Sequence, residues 1–294
     1  MKIKKYKMIY DLCDLNVIKR ILNKYGFKFS KSLGQNFIVD HKICPKMVDE
    51  CLAFGDNIGV IEVGPGIGTL TQQLAAKFKK VLCIEKDKRL FPILKDVLAD
   101  FKNVKILEDD ALKIDFKKLV QEEFVNFDKV IVCSNLPYYI TSPFIMKILE
   151  NNCNIKGMVI MIQKEAADRI CAFPGSKDCS AISIAVRYYS AAKVLFQVNK
   201  ESFIPSPKVN SSVVKININE TYHFGINDRD KFFKVVKASF EKRRKKLINS
   251  LGMSLNLKKE YIEKVFDKIG INKLSRAEEL KFEDFINLSN NIEF

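Results

Sequence analysis

The stretch Asn135-Leu136-Pro137-Tyr138 follows the apolar run "KVIVC" (Lys129–Cys133) after a single serine. The run reads as a buried strand, so an amide, a rigid turn and an aromatic ring all fall at a strand end. Those groups suit one kind of chemistry. The amino nitrogen of an adenine is planar and a poor nucleophile, because its lone pair is delocalised into the ring. The side-chain oxygen of Asn135 and the backbone carbonyl of Leu136 could each accept one of its two N–H bonds. That would aim the nitrogen at an electrophilic methyl and favour the tetrahedral, positively charged nitrogen that develops. Pro137 would hold the turn, and Tyr138 would stack on the base, as enzymes acting on extruded bases require. No strong base is needed, since the product cation is itself acidic. The same residues also read as a plain strand-to-helix turn with packing aromatics.

A second group lies upstream. "IEVGPGIGTLT" (Ile61–Thr71) carries Gly64, Gly66 and Gly68 between a strand-like and a helix-like segment, where glycine permits tight turns and close backbone approach to a ligand. Thr69 stands where the third glycine of a dinucleotide fingerprint would fall, and no Gly-Lys-Ser/Thr follows, which disfavours a nucleoside triphosphate. Glu85 ends the next strand, roughly 20 residues on, where a carboxylate can accept from ribose hydroxyls. "LEDDAL" places Asp109 and Asp110 at the end of a third strand, where one could accept from an adenine amino group. Each acid alone is more often a solvated strand end. In this order they describe a pocket for an adenosine without phosphates, which S-adenosylmethionine fits.

These groups need a scaffold that brings strand ends together. Strand-like "IGVIEVG", "KVLCIEKD", "NVKILEDD", "KVIVCSN" and "KGMVIMIQKE" alternate with helix-like "GTLTQQLAAKFK", "KRLFPILKDVLADF", "FKKLVQEEF" and "SPFIMKILEN". Alternation of this kind implies an α/β fold with a mostly parallel, doubly wound, Rossmann-like sheet. Its ligand crevice lies at the carboxyl ends of the strands. Short β-like pieces follow residue 190, and from about Asp230 the chain reads as helices, with "DKFFKVVKASFEKRRKKLINSL" as one long stretch. We therefore expect a methyltransferase-type domain over 1–220, including an N-terminal helical and basic arm over 1–30, and a small helical domain over 221–294.

The chain has 294 residues and a formal charge of +15, from 50 Lys+Arg against 35 Asp+Glu. Such an excess suggests a polyanionic partner, nucleic acid before membrane, although a Lys-rich proteome gives the same balance. Lys242, Arg243, Arg244, Lys245 and Lys246 are consecutive on an expected helix and could contact phosphates without reading sequence. No apolar run approaches the roughly 20 residues of a membrane span. The cysteines at 13, 44, 51, 83, 133, 153, 171 and 179 form no CxxC pair, and two histidines are present. No metal site is expected, and reduced thiols in a cytoplasmic monomer are the preferred reading.

The motifs "KSLGQNFIVD", "EVGPGIGTLT", "IEKD", "DDAL", "NLPYYITSPF", "MIQKEAADRI" and "FIPSPKVNSSVVKI" occur in this order. In them the chain resembles the KsgA-type small-subunit ribosomal RNA adenine dimethyltransferases, from about Tyr25 to the basic segment near Leu251. The resemblance implies S-adenosylmethionine as methyl donor and dimethylation at N6 of two adjacent adenines in the 3′-terminal hairpin loop of small-subunit (16S) RNA, within ribosome biogenesis. It implies that Asn36 and Ile38 border the cofactor, that Gly64, Gly66 and the glycine loop take its methionine part, and that Glu85 holds the ribose and Asp110 the adenine. Asn135 would sit at the methyl and the target amine, and Tyr138 would stack on the target. Phe203 would close the base pocket, or else simply pack inward from a Pro-rich hairpin. Many family members carry Asn where this chain has Tyr139, to which no role is assigned. Erm-type large-subunit (23S) methyltransferases, which give antibiotic resistance, share the glycine loop, the acids and an Asn-x-Pro-Tyr motif. Leu136, "FIPSPKVNSSVV" and "RRKKL" are more KsgA-like. A non-catalytic RNA-binding assembly or transcription factor on the same scaffold could lose Glu85, Asp110 or Asn135, all of which are present.

Overall fold

The structure, a computed structural model, describes residues 10–30, 33–151, 153–218, 225–242 and 244–294. The basic stretch at 2–7, Arg243 and residues 219–224 at the expected domain boundary lie outside the described residues. The chain divides into two compact units, Met1–Ala167 with Ala192–Ile218, and Asp168–Ala191 with Asn219–Phe294.

The first unit opens with α1 (Leu15–Lys24), whose N-terminus is capped by the Asp14 carboxylate accepting from Asn16 N and Val17 N, two of the otherwise orphaned helix donors. A two-residue strand β1 (Phe37–Ile38) and helix α2 (Ile43–Leu52) follow. Then come β2 (Ile58–Val63), α3 (Thr69–Lys77), β3 (Val81–Glu85), α4 (Phe91–Val97), β4 (Val104–Glu108), α5 (Phe116–Glu123), β5 (Lys129–Asn135), α6 (Thr141–Glu150) and β6 (Ile155–Gln163). After α7 (Lys164–Ile170) and α8 (Ala181–Tyr189), three further strands complete the β structure: β7 (Ser190–Val198), β8 (Phe203–Ile204) and β9 (Ser211–Ile218).

Seven strands form one sheet in the order β4-β3-β2-β5-β6-β9-β7. β2 pairs in parallel with both β3 and β5, and β6 with β5, whereas β9 runs antiparallel to β6. Every residue of β2 and β3 is buried, as expected for central strands covered on both faces, and this explains why they are apolar apart from Glu62 and the terminal Glu85. The chain moves outward from β2 to β4 and then crosses back to β5, so the strand order reverses between β2 and β5. In open α/β sheets the ligand crevice lies at that point, beyond the strand carboxyl ends. β1 and β8 pair separately, with Phe37 opposite Ile204 and Ile38 opposite Phe203.

The second unit contains α8, α9 (Arg229–Phe240), α10 (Leu247–Leu255), α11 (Lys259–Ile269) and α12 (Phe282–Asn291). Phe232, Val235, Phe266 and Phe285 form the centre of its own core. This corrects the expected division at residue 220, because Cys179, Ile184 and Tyr188 bury their side chains in that core. Helix α8 is an element the sequence pattern does not reveal. "AISIAVRYY" is β-branched and aromatic, and its helical state depends on burial and on Ser180, whose N–H donates to Ser183 Oγ at 2.9 Å. The expected single helix through the basic run is also corrected. Among the described residues, 241–242 and 244–246 lie outside helix, between α9 and α10, where Ser250 Oγ accepts from Lys242 N and donates to Ala238 O. Adjacent cations repel on a helix, and this serine supplies the backbone partners the turn needs. Among the described residues, no helix is long and apolar enough to cross a membrane.

Glu62, inside β2, is 1% exposed. Its Oε2 accepts from Thr71 Oγ1 of α3 at 2.7 Å. Burial pushes its carboxyl up to about 8, although the Thr71 hydroxyl opposes the shift. A carboxyl raised above its unfolded value keeps its proton in the folded state while the unfolded chain ionises. Stability is then full below 4.5 and falls as pH rises towards about 8. We expect the denaturant midpoint to drop across that window, by on the order of 3 kcal/mol of stability at neutral pH, and Glu62→Gln to flatten this part of the profile. An unchanged profile in the variant would locate the proton elsewhere.

Candidate active site

The glycine loop leaves β2 and the Asn135–Tyr138 turn leaves β5, side by side. Gly64, Gly66 and Gly68 all adopt the left-handed region, at φ 68°, 59° and 94°, which disfavours any side chain there. Space adds a second constraint. A Cβ on Gly64 would lie 3.4 Å from the Pro137 ring, and one on Gly66 would lie 3.1 Å from the Phe37 ring. Below the turn, the Ser134 hydroxyl donates to the Val63 carbonyl and so joins the ends of the two strands. Leu136 N donates to Met161 O of β6 at 3.1 Å, which fixes the turn from its other side.

A cleft opens to solvent between these loops, at the place where open α/β sheets bind ligands. Gly64, Gly66, Glu85, Asp110, Asn135 and Tyr138 all line it, as do Asn36, Leu136 and Pro137. Asn135 Nδ2 donates to the Asn36 carbonyl at 3.2 Å. That bond sets the orientation of the amide and leaves Oδ1 as the atom that can accept from a ligand. The one-turn 3-10 bond runs from Ile140 N to Pro137 O, so the turn does not draw on the Leu136 carbonyl. Tyr138 is half-buried, and its hydroxyl shares a 2.9 Å hydrogen bond with Ser211 Oγ at the start of β9, which fixes the ring.

The acids occupy different environments. Burial pushes the Glu85 carboxyl up to about 7, against the opposing hydrogen bond from Asp87 N at 2.7 Å. Asp110 is held below the usual carboxylate range, chiefly by the Lys86 ammonium 2.9 Å from its Oδ2. At neutral pH Asp110 is an anion, whereas Glu85 is poised between its two forms.

Two expected residues are not brought to the cleft. Ile38 and Phe203 are each 4% exposed, pair with one another across β1 and β8, and pack in the core of the first unit. The reason is strand alternation: side chains of successive residues point to opposite faces. Phe37, not Ile38, faces the cleft, and Phe203 takes the inward-packed arrangement. The structure also adds residues that sequence reasoning missed. Gln35 Nε2 donates to Asp87 Oδ2 at 2.7 Å and its Oε1 accepts from Ser30 N, which holds the 33–36 wall. Tyr139 lines the cleft and is 52% exposed, at its lip. The adjacent-tyrosine signal was visible in the sequence, but its facing depends on the turn. In the second unit, Arg244, Lys245 and Lys246 share a surface recess with Lys259, Lys273 and Arg276, which come from two other segments.

Comparison with known proteins agrees with this geometry. The family model described as ribosomal RNA adenine dimethylase matches residues 26–293. The ribosomal RNA small subunit methyltransferase A of Bacillus pumilus (strain SAFR-032) is 46% identical over 275 residues, covering 92% of this chain and 94% of that protein. The protein of the same name from Clostridioides difficile (strain 630) is 45% identical over 280 residues, covering 95% and 96%. Among solved structures, a dimethyladenosine transferase from Plasmodium falciparum superposes with a TM-score of 0.63 at 28% identity, over 83% of this chain and 94% of that one. The 23S rRNA methyltransferase ErmE gives 0.66 at 21% identity, over 87% and 99%, a likeness of fold. A match that extends from the first wall of the cleft to the last helix, together with 46% identity over nearly the whole length, means that this chain belongs to the ribosomal RNA adenine dimethylase family.

Proposed function

We propose that the protein uses S-adenosylmethionine to dimethylate N6 of two adjacent adenines in the 3′-terminal hairpin loop of small-subunit ribosomal RNA. The observation that carries this reading is the Asn135 amide. The Asn36 carbonyl turns its Oδ1 towards a ligand at the point where the glycine loop and the β5 turn meet. The named relatives at 45–46% identity act, by their names, on the small subunit, which favours that substrate over the large-subunit alternative.

The residues present fit the methyl donor. The glycines turn the loop with positive φ, and a side chain at Gly66 would crowd Phe37; the acids offer acceptors to hydroxyl and amino groups without a cationic phosphate cradle. When bound, the donor supplies an electrophilic methyl group on a sulfonium. Glu85 accepts from the ribose hydroxyls and Asp110 from the adenine amino group. Asn135 Oδ1 and the Leu136 carbonyl accept the two N–H bonds of the target amine, and Pro137 keeps their spacing. Those acceptors stabilise positive charge that grows on the nitrogen, so they act more strongly in the transition state than before it. Tyr138 stacks on the extruded base. The acidic product nitrogen loses its proton to water. In the second unit, Lys242, Arg244, Lys245 and Lys246 contact RNA phosphates, and a soluble cytoplasmic monomer is the form in which the protein would meet its substrate. Arg243 belongs to the same run in the sequence.

The direct test is labelled S-adenosylmethionine with small subunits that lack the modification, followed by mapping of the modified bases. Label on large-subunit RNA alone would sink the reading. Asn135→Ala should lower methylation about 10²–10³-fold while small-subunit binding stays near wild type. Methyl donor affinity should tighten as pH rises through about 7, because the ribose hydroxyls donate best to the ionised Glu85. Calorimetric titrations across that range should show the trend, and Glu85→Gln should bind weakly without it. Replacing Lys242, Arg244, Lys245 and Lys246 with Gln should weaken RNA binding and reduce the slope of log K against log salt by about 0.7–0.9 for each phosphate that is no longer neutralised. An unchanged slope would exclude the turn from the interface.

A further inference from the structure

The first unit holds a cluster outside the cleft that the methyl-transfer reading does not use. Asp11, Cys13 and His41 each direct one donor atom inward, and the three atoms lie within 4.8 Å of one another. Residues 11 and 13 come from the segment before α1, and residue 41 from the segment before α2. Spacings of 2 and 28 residues match no familiar ligand pattern, which is why the sequence led to the expectation of no metal. The fold supplies what the spacing does not show.

The local geometry is ordered. Both carboxylate oxygens of Asp11 face His41 Nε2, at 3.0 and 2.9 Å. Asp11 Oδ1 also accepts from Cys13 N at 3.0 Å, a tight turn that brings the thiol beside the imidazole. Leu12, between them, is buried, and its carbonyl accepts from Thr69 Oγ1 at the start of α3. The peptide carrying two donors is therefore pinned to the body of the unit. The His41 and Asp11 side chains are 66% and 54% exposed, and an ion pair that open contributes little by itself. Beside the cluster lies an open recess lined by Cys13 and His41 among others, which leaves an approach to the donors.

We infer that Asp11, Cys13 and His41 form a three-donor site for a borderline divalent cation of the zinc class. One thiolate, one imidazole and one carboxylate select against magnesium and calcium, which prefer all-oxygen shells. Zinc takes this donor set tetrahedrally, with water from the recess side as fourth ligand. With bonds of about 2.0–2.3 Å, the donors of such a site stand roughly 3.3–3.7 Å apart, so donors at the 4.8 Å limit close by at most about 1.5 Å, while the Asp11–His41 pair opens slightly from 2.9 Å. On binding, the cation replaces the proton between Nε2 and the carboxylate, and the Cys13 thiol releases its proton to solvent. The ion clips the segment before α1 to the one before α2, a structural role separate from methyl transfer.

Cobalt(II) is the probe, because a coordinated thiolate gives it a near-ultraviolet charge-transfer band. The chelator-treated, desalted full chain should bind one cobalt ion with that band, and zinc should displace it. Cys13→Ser should lose the band, and His41→Ala should weaken binding at least about tenfold. Both variants should keep the circular dichroism and the chelator-state melting temperature of wild type, and zinc should raise the melting temperature of wild type alone. The site is disproved by a wild-type chain without the band, or by a band that survives in folded Cys13→Ser. Methylation plays no part in the readout, so failure here leaves the proposed activity standing.

Discussion

Two parallel strands, β2 and β5, must end side by side with both chains turning away and no side chain between them. The backbone pairing carries them together as far as Ile61 and Val132. Beyond it, the Val63 carbonyl would be a buried acceptor without a ladder partner, and the Ser134 hydroxyl satisfies it. Gly64 then turns with a positive φ against the Pro137 ring, a conformation that disfavours any side chain. The positions of the glycine loop and of Asn135 are both referred to this one junction. Glu85 and Asp110 are added by the outward walk of the parallel sheet to β3 and β4.

The other wall has almost no regular structure, so discrete polar pairs hold it. Gln35 spans Ser30 N and Asp87, Asn36 meets Asn135, and the short β1–β8 pairing anchors the segment as it leaves the cleft. The aromatic rings of Phe27, Phe29 and Phe37, with centroids 5.1–6.0 Å apart, back the same wall. This arrangement explains how one cleft keeps two carboxyl groups in different states. Glu85 is buried with backbone donors as its partners, whereas Asp110 has an exposed lysine beside it. Environment, not residue type, decides which acid is an anion at neutral pH.

In the second unit, charge and packing divide the same stretch of chain. Phe232, Val235, Leu247 and Leu251 bury one face of α9 and α10, and the described basic residues between them, Lys242 and Arg244 to Lys246, lie outside helix. Lys259, Lys273 and Arg276 approach it from other segments. A cluster assembled in this way concentrates positive charge at one surface from three separate segments, which raises the local potential for a polyanion.

The residues by themselves determined the strand–helix alternation, the glycine loop, the order of acids along successive strand ends and the Asn-Leu-Pro-Tyr turn. Each is written in local periodicity or in a residue type with few alternatives, such as glycine at positive φ or proline in a turn. Tertiary structure decided what depends on facing and on distant contact. One step of strand alternation exchanges Phe37 for Ile38 at the cleft and sends Phe203 into the core. Burial against Phe232 makes a helix of "AISIAVRYY", which by composition suits a strand equally well. Gln35 reaches Asp87 and Asp11 reaches His41 across 52 and 30 residues, separations over which sequence carries no distance information. The chemistry of the site was legible because it lies in contiguous motifs. Its walls were not, because they exist only where remote segments meet.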